Sequence, residues 1–186
     1  MKTKYFFLFV GAIVCMTAFA RHNYQCYSNT IGDWKIFTLG GYTLAEPMVV
    51  DLAPTNAPDP NARYSLRCQV AYKDNVIPRP STDAEFELVL KIAGIMNSWL
   101  REFIDQEYVG AEYEELLKAY KSGAVRKDLV KKFPDYVAAQ ISVMDPSERL
   151  DIETVTVDIE AVGAFREELI KEMEKESQAE QEEQGE

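Results

Sequence analysis

The chain has one histidine and three cysteines in 186 residues, and those two scarcities remove most catalytic chemistry at once. His22 sits immediately after an apolar run, where an interfacial polar residue is expected rather than a general base, since a base needs a positioned partner. No Cys and His constellation has zinc-ligand spacing, no G-x-S-x-G elbow occurs, and no glycine-rich phosphate loop occurs; Gly40-Gly41 reads as a turn. Clusters of Lys and Arg interleaved with aromatics are also missing. With a formal net charge of -11, the chain repels phosphate backbones, so nucleic acid is not an expected partner. Neither a cofactor nor a metal is expected.

Acidic residues are plentiful but unevenly placed. From Glu167 to Glu186 nine of them face only Lys171 and Lys175, a local charge of -7, which suggests a solubilising tail without specific chemistry. That tail lacks the alternating Asp and Asn loop with a bend glycine that specific calcium sites use. Pairs such as Glu114-Glu115 and Glu167-Glu168 lie among lysines in helical sequence and read as solvated faces.

Long apolar runs are confined to the N-terminus. Lys2 and Lys4 precede an uncharged stretch from Tyr5 to Ala20, with Tyr5, Phe6, Phe7, Leu8, Phe9, Val10, Ile13, Val14 and Phe19 as its apolar body. Two fates fit these residues. Ala18-Phe19-Ala20 offers small residues for signal cleavage, whereas retention leaves a short membrane anchor that Lys4, Arg21 and His22 would extend at the interfaces. A lipoprotein reading would use Cys15, but Ala12-Ile13-Val14 makes a poor lipidation box. Cys26 and Cys68 are the thiols beyond this run. An oxidising compartment would let them pair, and the alternative is two unpaired, half-buried thiols.

The remaining length suits one domain. Residues 21–41 read as a tether with at most one short strand at Trp34 to Leu39. Tyr42 to Leu52 reads as a strand, the proline-rich Ala53 to Ala62 as a loop, and Tyr64 to Tyr72 as a second strand that closes a hairpin. Thr82 and Glu85 have capping-box spacing, and the residues from Phe86 through Ile104 then recur at three- and four-residue steps, a long amphipathic helix.

Further helices are predicted from Ala111 to Tyr120, ending at Ser122-Gly123, and from near Val125, kinked or restarted at Pro134. Tyr113, Tyr120, Phe133 and Tyr136 fall at helical spacing as core. Leu150 to Ile159 alternates on Val155, Val157 and Ile159 as a strand, and Phe165, Leu169, Ile170 and Met173 mark a last helix dissolving into the acidic tail. The expected class is α+β, a small antiparallel or mixed sheet with helices packed on one face, after an N-terminal membrane helix or signal segment. The organisation reads 1–20 anchor or signal, 21–41 tether, 42–163 domain, 164–186 charged helix and tail.

The segment Glu46-Pro47-Met48-Val49-Val50-Asp51-Leu52-Ala53, followed by Arg63-Tyr64-Ser65-Leu66, resembles the opening of the flagellar basal-body-associated FliL family. The likeness continues through the long helix to Phe103, Tyr113-Glu114-Glu115-Leu116-Leu117, the helix Val125 to Phe133 and the strand Ile152 to Ile159, roughly Thr43 to Val162. Asp51 departs from the family's Asn, and Val155, Val157 and Ile159 stand where it carries Phe. The helix Ala164 to Ser177 instead looks like the stomatin, prohibitin and flotillin domain. The resemblance implies a single-pass inner-membrane anchor, a periplasmic FliL- or stomatin-like domain without chemistry of its own, homo-oligomers, and contacts with flagellar stator or basal-body proteins that support motility. It favours retention of the apolar segment. A cleaved, secreted periplasmic binding module, with a pocket lined by Trp34, Trp99 or tyrosines, is the rival from another class.

Overall fold

A computed structural model describes residues 27–31, 34–39, 41–77 and 80–183. Its element order is β1 (Tyr27–Ile31), β2 (Trp34–Leu39), β3 (Tyr42–Leu44), β4 (Met48–Asp51), β5 (Tyr64–Asp74), α1 (Asp83–Tyr108), α2 (Tyr113–Lys121), α3 (Ala124–Val143), β6 (Ile152–Gly163) and α4 (Ala164–Glu183). The chain is α+β, and every pairing between these strands is antiparallel.

β5 organises the sheet. Met48 to Asp51 pair with Cys68 to Ser65, and Thr43 and Leu44 pair with Tyr72 and Ala71, so β3 and β4 share one edge of β5. The expected single strand Tyr42 to Leu52 is thus split at Ala45-Glu46-Pro47, where proline has no N–H for the ladder. The gap is bridged: Ala45 N–H donates to Val70 O at 2.9 Å, and Gln69 Nε2 donates to Ala45 O at 3.1 Å. β6 runs the full length of the other edge, from Tyr64↔Gly163 to Asp74↔Ile152.

Alternation then decides the faces. Tyr64, Leu66, Cys68, Val70 and Tyr72 point inward together with Val50, Val155, Val157, Ile159 and Ala161, all buried, and one continuous core joins them to all four helices. The opposite face is polar and open, with Arg67, Asp158 and Glu160 exposed beside Val49.

α1 begins where its cap was expected. Thr82 accepts from Glu85 N–H, and the Glu85 carboxylate accepts from Thr82 N–H, which satisfies two amides that the first turn leaves free. Hydrogen bonds from Ser81 and Thr82 also hold the Glu85 carboxyl below its ordinary range. Thr82→Ala is expected to cost about 1 kcal/mol in urea denaturation; no loss would mean that packing alone fixes this end. The inward stripe of α1 is Val89, Ile92, Ala93, Met96, Leu100, Phe103 and Ile104.

Four expectations need correction. Residues 21–41 are not a simple tether, because Tyr27–Ile31 and Trp34–Leu39 form a hairpin that extends the sheet through β3. The helix expected from Ala111 starts at Tyr113, since Ala111 O and Tyr113 N–H bond instead to Thr55 in the preceding loop. Pro134 does not restart α3, which remains one helix from Ala124 to Val143. Leu129, Phe133 and Val137 are buried on both sides of the proline, and the carbonyl that loses its donor belongs to Val130, on the exposed side. Finally, the acidic tail is helical as far as Glu183. The expected membrane segment, with Tyr5, Phe6, Phe7, Leu8, Phe9, Val10, Ile13, Val14 and Phe19, lies outside the described residues, and among those described no helix is long and apolar enough to cross a membrane.

Candidate functional site

The helical aromatic residues expected as core, Tyr113, Tyr120, Phe133 and Tyr136, are packing groups. Phe103 contacts Phe133 and Tyr136 at centroid distances of 5.9 and 5.4 Å, joining α1 to α3. Tyr64 meets Tyr113 edge-on at 5.2 Å, as does Tyr120 with Phe165, so rings tie α2 to the sheet and α4 to α2. Trp99 is half-buried against the same core. Trp34 belongs to β2, and His22 lies outside the described residues.

Cys68 has a free thiol at the centre of the sheet, fully buried, with Sγ 3.8 Å from Leu66 O. Its expected partner Cys26 lies outside the described residues. Burial pushes the Cys68 thiol up to about 12, partly offset by the charge of Arg101. Burial likewise raises Tyr108 and Tyr113 to about 12, and raises Tyr72 further, with the neighbouring Asp74 carboxylate adding to it.

These groups release protons more easily unfolded than folded, so their contribution to stability is present below about pH 9 and is lost as pH rises toward 12. The urea midpoint is therefore expected to fall steadily above about pH 9, in step with tyrosinate absorbance near 295 nm on unfolding. A midpoint that stays flat to pH 11 would show that these hydroxyls and the thiol are not shielded.

Depressions in the surface are found at the described residues. One, of about 270 Å³, lies between α2 and α4 and is lined by Glu114, Leu117, Lys118, Lys121, Ser122 and Glu172. A Lys121–Glu172 ion pair at 3.0 Å bridges it. Another, of about 160 Å³, lies at Pro47, Arg67, Gln69, Asp158 and Glu160 beside the polar face of the sheet. Among the described residues no group of three His, Cys, Asp or Glu side chains is placed to hold a metal ion. Glu114 and Glu115 are exposed on α2, and Glu168 pairs with Lys171 at 2.6 Å, as solvated helix faces do.

Sequence reasoning missed how β6 is protected. As an edge strand it presents unpaired backbone groups, which invite pairing with other chains. Tyr120 Oη accepts from Ala161 N–H at 2.8 Å, and Arg126 donates to Ile159 O at 2.9 Å while pairing with Asp158 at 2.9 Å. No local pattern announces either contact, because each joins a helix to a strand more than thirty residues away. Comparison with protein-family models, with curated proteins and with solved structures returns no match.

Proposed function

We propose that the chain is a non-enzymatic accessory protein of the FliL type, anchored in the bacterial inner membrane by Tyr5 to Ala20 with its domain in the periplasm. It supports the flagellar motor through contacts with stator or basal-body proteins. The observation that carries this reading is the order in which the elements of Thr43 to Val162 meet. The Glu46-to-Ala53 segment, β5, a long helix, two shorter helices and a closing strand share one core, and the residues they bring together are packing groups. A polar open sheet face, with Arg67, Asp158 and Glu160 beside Val49, offers a surface for protein contacts.

The test is the intact mass of the protein from membrane and soluble pools, together with swimming of a flagellated host lacking it. Full-length mass in the membrane with impaired swimming is the expected result. A soluble product beginning at Arg21 would remove the anchor and favour a secreted binding module.

One observation favours a second reading, a stomatin-like membrane scaffold. α4 buries Phe165 and Leu169 but leaves Ile170 46% and Met173 62% exposed, an apolar pair outside the core. On that reading Ile170→Glu combined with Met173→Glu abolishes oligomers in analytical ultracentrifugation while Phe165 keeps the domain folded. Unchanged sedimentation would dismiss it.

A further inference from the structure

Alternation along β3, β5 and β6 leaves a second set of side chains on the face away from the helices, and the register fixes how they line up. Leu44 stands beside Ala71 and Ala71 beside Thr156, a row without charge. The next row toward one end of β5 is Lys73 with Thr154, and Lys73 Nζ lies 4.8 Å above the ring of Tyr42. Toward the other end comes Gln69 with Asp158, and then Arg67 with Glu160. Rows lie about 6.7 Å apart, because side chains on one face recur every second residue. The surface is thus contiguous, and each of these residues is at least partly exposed.

Antiparallel sheets commonly keep one face in water, so an open face alone names no partner. The charges here do. Lys73 and Asp158 lie in opposite directions from the uncharged row. A second copy turned by half a revolution about a line along that row sets Leu44, Ala71 and Thr156 against their own counterparts. The same turn places Lys73 of each copy at the Gln69 and Asp158 row of the other, twice over by symmetry. About the Gln69 row it would press the charged Arg67 and Glu160 onto the uncharged row, and about the Lys73 row it would set like charges together. Asp158 already has Arg126 at 2.9 Å, yet its side chain stays 75% exposed, which leaves room for a second cation.

We infer that two copies of this chain dock through this face, sheet on sheet at the usual separation of about 10 Å, with Lys73 of each copy paired to Asp158 of the other. The centre of the contact is uncharged and its rim carries the charges, the distribution that protein interfaces share. The inference rests on the proposed reading of the open face as a surface for protein contacts and is independent of the anchor. It names the occupant of that face as a second copy.

The test uses the full chain in dodecylmaltoside with Cys15 and Cys26 replaced by serine, Cys68 being buried. Ala71→Cys, on the axis, and Asn61→Cys, in the loop after β4, are each treated with a short bis-maleimide, and the parent chain is followed by sedimentation velocity. Position 71 is expected to give a covalent dimer and position 61 none. Lys73→Glu and Asp158→Lys are each expected to weaken the dimer about tenfold or more, and the two together in one chain to restore it. Restoration by the double variant separates a lost contact from a lost fold, which circular dichroism checks directly. A monomeric parent chain, or a dimer indifferent to both reversals, overturns the docking. If Ile170→Glu with Met173→Glu removes the dimer and the reversals do not, α4 carries the association, which also overturns it. A monomeric parent whose Lys73→Glu variant impairs swimming overturns self-docking but leaves the face a contact surface for another protein. Reversals that change neither sedimentation nor swimming overturn both.

Discussion

Gly163→Ala is expected to lower the stability of the domain by about 2–4 kcal/mol, a large loss for one methyl group. Gly163 ends β6 at φ +60°, where an L side chain crowds its own backbone, and an added Cβ would lie 2.9 Å from Arg63 O. That oxygen cannot retreat freely, because Ala164 N–H donates to it at 3.1 Å as α4 begins. The strain thus falls on the joint between the last strand and the last helix. Gly94 supplies the control: it is exposed in the middle of α1 with nothing within 4 Å of an added Cβ. Gly94→Ala is expected to stabilise by up to about 1 kcal/mol through better helix propensity. Urea denaturation of the two variants decides the matter, and equal effects at both glycines would show that the joint is not strained.

Phe133→Ala is the second large effect, expected at about 3–5 kcal/mol, a substantial share of the 5–15 kcal/mol that domains of this size typically have. The ring is fully buried where α3 crosses α1, stacked on Tyr136 and tilted against Phe103. Backbone on both sides limits collapse into the space left behind, so a cavity remains. Val130→Ala, one turn earlier but 43% exposed, is expected to change stability by under about 0.5 kcal/mol. A loss below about 1 kcal/mol at Phe133 would mean that α1 and α3 are held together elsewhere.

The elements that could be read from the sequence are those whose burial repeats locally. α1 announces itself twice, by Thr82 with Glu85 and by apolar residues at helical steps, and both signals arise within a few residues of each other. β5 and β6 alternate cleanly because one face of each is buried along its length. Elements set by distant partners were not legible. Ser28, Asn29 and Thr30 carry no strand pattern, and their place in the sheet comes from pairing with Phe37, Ile36 and Lys35. At Pro134 a local rule met a stronger tertiary one, since leaving the helix there would unseat Phe133 and Val137 together. α4 outlasts its apolar residues because Glu, Gln and Lys are good helix formers even without a core to cover.

β6 is made after three helices have been synthesised, yet it supplies the longest partner of the central strand. Until Gly163 is available, β5 keeps one whole edge open. Formation of the native domain therefore waits on contacts of long sequence separation, which close slowly. A nascent chain of this design completes its central sheet only when nearly all of it has been synthesised.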